Sequence, residues 1–330
     1  MYAEFYGLAS RPFQLTPDAR FFFESTVHRQ AMAYMVYGLH HAEGFIIITG
    51  EVGAGKTILV DNLLATINDN SFVTAKIVTS QLCGDDLLHM VAAGFGIAKE
   101  GLAKGALLQR ISDFVLAQHR NGKRLLLIVD EAQNLSFEAL EELRMLSNIV
   151  VDNTMALQSF LLGQPQFRAI LGSPGLEQLR QRVTAAYHLG PLNAAETRSY
   201  IEHRLRCAEW KGDPHFTEPS FPAIYQHTDG VPRRINTLCS RLLLYGFLEQ
   251  LHTLSADSVE KVANDLREEM SVVTTQPTAD IGSNGKVSLG EALPGFAERV
   301  AALERSVDKH ERLIRRAIEI AAHYFQGERQ

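Results

Sequence analysis

Short apolar runs without polar alternation recur in the first part of the chain, at residues 45–49, 72–78, 125–129, 157–162 and, more weakly, 187–189. Runs of this length, rich in branched and aromatic side chains, are typical of strands that are buried on both faces. Amphipathic helical patterns separate most of the runs, for example at 107–119 and 137–148. Strands that alternate with helices predict an α/β fold, here a five-stranded parallel sheet with helices on both faces.

The pattern changes after Pro191, where the strand signal stops and only helical patterns follow. Asn193 and Glu196 have the spacing of a capping box, which predicts that a helix begins there. Further helical patterns cover residues 221–226, 234–250 and 255–270. We therefore predict an α/β domain over 1–190, with an aromatic-rich N-terminal segment, and a small all-helical lid domain over 191–270.

The last part of the chain has two further patterns. Residues 271–294 are polar and rich in turn formers, which predicts a flexible linker. Over 295–326 apolar residues recur four and three positions apart, which predicts a heptad-like C-terminal helix. Acidic and basic residues balance over 280–330, at eight each, so a coiled-coil or docking helix is favoured over a membrane-surface helix. Packing of this helix back onto the rest of the chain is the alternative.

Composition narrows the class of protein. Of the 330 residues 46% are hydrophobic and 21% charged, which is ordinary for a globular protein and excludes wholesale disorder. The net charge of −6 argues against holding nucleic acid through bulk charge alone. The three cysteines are widely separated, which argues against a disulfide framework or a structural zinc site. No apolar run approaches the roughly 18–20 residues of a membrane span, and no signal peptide is visible, so we expect a cytoplasmic protein.

The first chemical motif lies directly after the run at 45–49 and opens a predicted helix over 58–67. It matches GxxxxGK[ST] and consists of Gly50, Glu51, Val52, Gly53, Ala54, Gly55, Lys56 and Thr57. Glycines allow successive backbone N–H groups to turn inward around phosphates, and the following helix adds its positive N-terminal end. In this pattern the lysine reaches the β- and γ-phosphates and the Thr57 hydroxyl binds Mg²⁺. The motif predicts a binding site for a nucleoside triphosphate, and the alternative is a glycine-rich turn that matches the pattern by chance.

A second motif, Asp130 followed by Glu131, ends the apolar run at 125–129. An aspartate at a strand end can hold Mg²⁺, and an adjacent glutamate can accept a proton from the attacking water. An ordinary polar loop start would have the same residues. Because kinases and switch-type GTPases usually lack the paired glutamate, a hydrolysing NTPase is the better interpretation, with Lys56 and Glu131 as catalytic residues.

Several strings together resemble one protein family. They are Asp130 to Leu135, Gly163-Gln164-Pro165, Gly230 to Asn236 and the opening Phe5 to Leu8 with Thr16-Pro17-Asp18. In this order they are similar to the AAA+ ATPases (P-loop NTPases of the ASCE type) of the general-secretion-pathway A, or ExeA-type, group. The string from Gly38 through Gly44 to Gly53 most resembles the ATPase of the exosortase/PEP-CTERM system, which is encoded with exopolysaccharide genes. The resemblance covers about residues 1–270 and implies that ATP is the nucleotide.

The resemblance implies further site residues. Gln164 corresponds to sensor 1, which orients the attacking water, and Arg182 to an arginine finger that reaches the nucleotide of a neighbouring subunit; Arg180 is its rival. Arg233 corresponds to sensor 2 at the start of a lid helix, with Arg234 as its rival. Ile58, which completes the set of nucleotide-binding residues, stands where relatives commonly carry a second threonine.

These features lead to one main hypothesis and two alternatives. The main hypothesis is an ATP hydrolase that requires Mg²⁺, forms homo-oligomers and drives an envelope export or exopolysaccharide apparatus. The C-terminal helix would bind protein partners, and peripheral association with the cytoplasmic face of the inner membrane is compatible with it. The first alternative is a regulator of DNA transactions of the transposition type, and the second an interaction protein that nucleotide only switches.

Overall fold

The computed structural model describes residues 1–274 except 17, 42–43, 68–70, 80–83, 99–101 and 152–153. The heptad-like helix predicted over 295–326 and the predicted linker beyond residue 274 lie outside the described residues. Up to residue 189 the α-helices and strands are α1 (Tyr2–Phe5), α2 (Thr26–His41), β1 (Phe45–Gly50), α3 (Lys56–Thr66), β2 (Phe72–Val78), α4 (Gly84–Gly94), α5 (Lys104–Arg120), β3 (Arg124–Asp130), α6 (Phe137–Leu146), β4 (Val150–Val151), β5 (Thr154–Met155), β6 (Leu157–Gly163), α7 (Gln166–Leu171), α8 (Glu177–Arg180) and β7 (Val183–Leu189). The remaining elements are α9 (Ala194–Cys207), β8 (His215–Phe216), α10 (Ser220–Thr228), α11 (Pro232–Leu248), β9 (Thr253–Leu254) and α12 (Ala256–Thr274).

The predicted five-stranded parallel sheet is confirmed. Its strand order is β2-β3-β6-β1-β7, and every neighbouring pair is parallel. The three central strands, β1, β3 and β6, are buried along almost their whole length, which explains why their sequences are continuous apolar runs. Because β6 lies between β1 and β3, the carboxyl ends of these three strands meet at one edge of the sheet.

Alternate residues of the strands belong to two different cores, as the two-residue period of a strand requires. Phe45 and Ile47 of β1 face the core that α4 to α8 cover, whereas Ile46 and Ile48 face the core under α2 and α3. Gly38 of α2 allows this second core to close, because a Cβ there would lie 2.4 Å from Cγ1 of Ile46. The sheet therefore has helices on both faces, as the sequence predicts.

The edge strand β7 is longer than the sequence pattern indicates. It begins at Val183, whereas the apolar run predicts only 187–189. Its residues alternate between half-buried and exposed positions, since only one face packs against α2. A criterion based on continuous apolar runs identifies strands buried on both faces and misses most of a half-covered edge strand. The short pairs β4–β5 and β8–β9 are also absent from the sequence prediction.

The N-terminal segment, residues 1–25, packs mainly with the helical region, although Phe22 packs against the core under α2 and α3. Tyr6, Leu8, Phe13 and Phe21 are buried in the same cluster as apolar residues of α9 to α12. The Tyr6 hydroxyl donates to the carbonyl of Leu251 at 2.9 Å. This segment therefore completes the apolar core of the predicted lid domain. At the far end, α12 continues to Thr274, past the helix end predicted at residue 270.

A buried arginine reinforces this packing. The Arg204 guanidinium donates to the carbonyls of Pro12 (2.5 Å) and Gln14 (3.2 Å) and to the Tyr200 hydroxyl (2.9 Å). It also lies 4.9 Å from the centre of the Phe21 ring. Three of its N–H groups thus donate to oxygens and its face lies on an aromatic ring, which stabilises this cation in the core.

Candidate functional site

The phosphate loop, residues 50–57, connects β1 to α3 at the carboxyl edge of the sheet. Gly53 and Gly55 have φ values of 84° and 100°, in the left-handed region that other residues rarely adopt. Gly55 is the N-cap of α3, so the loop ends where the positive end of the helix begins. The motif thus has the strand–loop–helix context that phosphate binding requires.

Lys56 is folded into this loop. Its Nζ donates to the carbonyls of Gly50 at 2.7 Å and Glu51 at 3.1 Å, and the residue is only 6% exposed. Burial lowers the pKa of the Lys56 ammonium, while the negative charges of Glu131, Asp130 and Glu51 act against that shift. A triphosphate would offer the ammonium stronger acceptors than these carbonyls, because its oxygens are charged.

The end of β3 lies against the start of α3. The Thr57 hydroxyl donates to Oδ2 of Asp130 at 2.8 Å, across 73 residues of sequence. The two oxygens are of the hard type that Mg²⁺ prefers, and Asp130 is buried. The two predicted metal ligands therefore lie together and fit Mg²⁺. Among the described residues, no cluster of three or more His, Cys, Asp or Glu side chains could hold a metal ion.

Glu131 is held by two glutamine side chains. Its backbone has φ 56°, and its Oε2 accepts hydrogen bonds from Nε2 of Gln133 at 2.6 Å and Nε2 of Gln164 at 3.2 Å. The Gln133 Oε1 in turn accepts from the backbone N–H of Gln164 at 2.9 Å. The structure thus brings the predicted catalytic glutamate and the predicted sensor glutamine together. Gln133, which sequence reasoning passed over, connects them.

Hydrogen bonds from Thr79, directly after β2, hold the backbone of Asp130 and Glu131 in place. Thr79 donates through its hydroxyl to the carbonyls of Asp130 (3.0 Å) and Glu131 (2.8 Å). The Asn134 side-chain amide donates to the carbonyl of Thr79 at 3.1 Å. These bonds fix the two carboxylate-bearing residues relative to the neighbouring strand. The only sequence signal for Thr79 is its place after a predicted strand, which is a weak one.

The two lid arginines differ in their surroundings. Arg233 is the second residue of α11 and lies beside the phosphate loop. Its backbone N–H donates to the carbonyl of Gly53 at 3.2 Å, and a Cβ on Gly53 would lie 2.2 Å from the Cβ of Arg233. Arg234 forms an ion pair with Asp229 at 2.8 Å. Of the two rivals for the sensor-2 position, the geometry favours Arg233.

Arg182 lies at the amino-terminal end of the parallel strands, opposite to the carboxyl ends where the phosphate loop lies. Its carbonyl accepts from the N–H of Phe45, the first residue of β1, whereas the phosphate loop follows the last residue of that strand. The two ends are roughly 17 Å apart, at the rise of a parallel strand. The Arg182 guanidinium donates to the side chains of Ser147 (2.8 Å) and Asn148. Arg182 is therefore remote from the phosphate loop of its own chain, as a residue that acts on a neighbour would be.

Arg180, the rival of Arg182, is engaged locally. Its guanidinium donates to the carbonyls of Leu171 at 2.8 Å and Ser173 at 3.2 Å, and it lies 3.4 Å from the carboxylate of Glu177. These contacts tie α8 to the end of α7 and give Arg180 a structural role.

A cavity of about 360 Å³ opens over the phosphate loop, between the N-terminal segment and the lid helices. Lys56, Thr57, Ile58, Glu131 and Arg233 line it, so most of the predicted site residues open into one space. Phe21, Phe22 and Phe23 form part of its wall, although Phe21 is also core. The volume is that of a small-molecule site. Within the loop, Ala54 is buried, and Glu51 and Val52 line a second hollow beside α10 and α11.

Comparison with known families agrees with this geometry. A family model described as "AAA domain" matches residues 39–171, a range that contains the phosphate loop, Asp130, Glu131 and Gln164. No described helix is long and apolar enough to cross a membrane.

Two curated proteins are similar in sequence. General secretion pathway protein A of Aeromonas hydrophila is 36% identical over 267 residues, which are 81% of this chain and 48% of that protein. The Mu-like prophage FluMu DNA transposition protein B of Haemophilus influenzae is 31% identical over 129 residues, 39% of this chain and 42% of that protein. The chain thus spans less than half of the length of these relatives.

Among solved structures, Cdc6p from Pyrobaculum aerophilum matches with a TM-score of 0.60 at 15% identity, over 81% of this chain and 74% of that one. The ORC2 protein of Aeropyrum pernix, solved in ADPNP and ADP complexes, matches with a TM-score of 0.56 at 18% identity, over 79% and 75%. At this level of identity the likeness shows a shared fold. The chain thus has the fold of P-loop NTPases, matches the AAA-domain model over residues 39–171 and is similar in sequence to general secretion pathway protein A.

Proposed function

We propose that this AAA-domain protein is a Mg²⁺-dependent ATPase that binds and hydrolyses ATP at the phosphate loop and works as an oligomer. The observation that carries the proposal is the convergence of Thr57, Asp130, Glu131 and Gln164 beside Lys56 at one edge of the sheet. Each of these side chains has the chemistry that one part of phosphoryl transfer to water needs.

The residues would divide the work as follows. The backbone N–H groups of the loop and the Lys56 ammonium bind the phosphates, and Lys56 exchanges the carbonyls of Gly50 and Glu51 for phosphate oxygens. Thr57 and Asp130 would hold Mg²⁺, which neutralises charge on the phosphates when bound. Glu131 accepts the proton of the attacking water, and the Gln164 amide, released from Oε2 of Glu131, orients that water.

In the arrangement seen here two glutamine side chains orient Glu131. The amides of Gln133 and Gln164 both donate to its Oε2. For the Gln164 amide to orient the attacking water, its 3.2 Å bond to Glu131 must break when nucleotide binds. Because Gln133 lies two residues from Glu131 and also binds the backbone of Gln164, it is suited to keep the glutamate oriented while Gln164 turns to the water.

A Gln133→Leu variant is expected to hydrolyse ATP about tenfold more slowly, since one hydrogen bond to a charged group is worth roughly 1.5 kcal/mol. Its affinity for MgATP should stay unchanged, because the contacts of Gln133 are to Glu131 and Gln164 rather than to the phosphate loop. Steady-state hydrolysis and nucleotide titration measure the two effects. Gln109→Leu is the control, since Gln109 pairs with a carboxylate on the exposed side of α5. An unchanged kcat would contradict the assigned role.

The cellular role that we propose is the assembly or operation of an envelope export system. This role is supported by the 36% identity to general secretion pathway protein A. The finer assignment, to an exosortase/PEP-CTERM exopolysaccharide system, is supported by the string from Gly38 to Gly53. The partners would be proteins of that complex, bound through the segment 295–326, at the cytoplasmic face of the inner membrane. Since the relative is about twice as long, its further activities are not carried over.

The purified full chain tests the nucleotide part of the proposal. We expect MgATP to bind and to be hydrolysed, EDTA to abolish turnover, and Lys56→Ala to abolish both binding and turnover. A folded protein without affinity for MgATP would overturn the proposal. For the cellular part, a deletion strain complemented with wild type should recover envelope export, whereas complementation with Glu131→Gln should not.

A DNA-directed function is the second candidate, because the transposition protein matches the chain at 31% identity over 129 residues. Such a function predicts that duplex DNA stimulates hydrolysis and that the stimulation falls steeply as salt rises. The net charge of −6 disfavours it. Hydrolysis rates with and without DNA, at two salt concentrations, separate the two candidates.

A further inference from the structure

A buried histidine lies beside the phosphate loop, in the wall of the cavity that opens over it, and the mechanism above does not use it. His28 is near the start of α2 and is 4% exposed. Its Nδ1 lies 2.7 Å from the hydroxyl oxygen of Ser25, which also accepts the backbone N–H of His28 at 3.3 Å. The Phe22 ring packs edge-on against it, with 5.9 Å between ring centres. The imidazole therefore has a fixed orientation.

The other side of the ring touches the phosphate loop. A Cβ on Gly55 would lie 2.7 Å from Nε2 of His28, so the ring packs directly against the loop backbone. Burial lowers the pKa of His28, while the nearby backbone of Ala54 and the negative charge of Glu196 oppose the shift. A neutral imidazole has one donor and one acceptor nitrogen, so with the Ser25 hydroxyl at Nδ1 the Nε2–H can donate to the loop.

A carboxylate of the lid helix α9 caps the N-terminus of α2. The Glu196 carboxylate of α9 accepts the N–H of Thr26, the first residue of α2, at 2.8 Å and the N–H of Asn193 at 3.2 Å. Burial would raise the pKa of Glu196, but the hydrogen bonds from Thr26 and Asn193 outweigh it and lower the pKa. One carboxylate thus caps two helices that belong to the two predicted domains.

We infer that His28 is a positioning residue of the phosphate loop and that Glu196 couples the lid to it. The path runs from Glu196 to the N-terminus of α2, through Ser25 to the imidazole, and from the imidazole to Ala54 and Gly55. Lid motion that shifts α9 moves the start of α2, and with it the ring that packs against the loop at Gly55. The lid would therefore affect nucleotide affinity through α2 and His28, in addition to the contact that Arg233 makes with Gly53.

The inference rests on the proposed nucleotide site and is tested in the full-length protein. We expect Ser25→Ala and Glu196→Gln each to weaken MgATP binding about fivefold, at the scale of one hydrogen bond, with kcat changed less than twofold. The double variant should lose no more than about tenfold, less than the product of the single effects, because both changes break one path. His28→Leu should weaken binding more than His28→Gln, whose amide keeps a donor for the loop.

Two matched controls separate this role from loss of a helix cap. Ser255 caps α12 in the lid and Glu202 pairs with arginines on the exposed side of α9, both away from the loop. Ser255→Ala and Glu202→Gln should leave MgATP affinity unchanged even where they lower the melting temperature. If wild type binds MgATP but Ser25→Ala and Glu196→Gln bind like their controls, or if their effects multiply, the inference is wrong while the proposed function stands. If wild type does not bind MgATP, the proposed function itself fails.

Discussion

A Glu131→Gln variant is expected to bind MgATP as tightly as wild type and to hydrolyse it about 10³-fold more slowly, within the range measured for removal of a general base. Glutamine keeps the size of the side chain and can still face the Gln133 and Gln164 amides, but it cannot take a proton from water. Nucleotide titration and a single-turnover assay measure the two effects separately.

Lys56→Ala provides the contrast to that result. Because the Lys56 ammonium lies inside the loop, its removal should abolish binding rather than slow the chemical step. Melting curves of both variants in the absence of nucleotide control for loss of the fold. Rapid hydrolysis by Glu131→Gln would contradict the role of this glutamate, whatever the Lys56 variant does.

Arg182→Ala is expected to lower kcat between about 10³- and 10⁵-fold in the oligomer, the range for loss of an arginine finger. The residue lies at the start of the strands, opposite to its own phosphate loop, so in the proposed role it reaches the nucleotide of a neighbouring subunit. To reach that subunit, its guanidinium must leave Ser147 and Asn148. Arg180→Ala is the control, since Arg180 is bound to carbonyls within its own subunit.

Mixing experiments distinguish a trans role from a structural one. Subunits with Arg182→Ala retain an intact phosphate loop, and subunits with Lys56→Ala retain the arginine, so a mixture should recover part of the activity that each lacks alone. Activity that stays absent in every mixture, although sizing shows mixed oligomers, would contradict a finger at Arg182. Equal loss with Arg180→Ala would point to destabilisation of the α8 region.

The parts of the fold that sequence predicts best are those with the simplest environment. β1 and β3 are surrounded by apolar side chains on both faces, so their sequences are uninterrupted and could be identified. The start of α9 was identifiable because Asn193 and Glu196 carry its reciprocal cap within four residues. β7 was mostly missed because its exposed face allows Thr184 and His188.

The residues of the candidate site also fall into two groups, those that a local sequence motif identifies and those that only the structure identifies. The residues of the phosphate loop and the Asp130–Glu131 pair act through backbone geometry and strand ends, which leave a local signature in the sequence. The roles proposed for Gln133 and His28 depend on contacts with distant segments, Gln164 for the first and the phosphate loop for the second, so the sequence did not single these residues out. The choice between Arg233 and Arg234 likewise needed the approach of α11 to Gly53, which no spacing encodes.

The first and last parts of the described chain complete one core, and this has a consequence during synthesis. The bond from Tyr6 to Leu251 spans 245 residues, so the opening aromatic residues leave the ribosome long before their partners exist. At ~5–20 residues per second the delay before Leu251 is made is about 12–50 s, during which the lid core around these side chains is incomplete. Chaperones that shield nascent apolar segments should therefore matter more for this protein's yield than its strong central strands would suggest, and a version that starts at residue 39, where the family match begins, should aggregate.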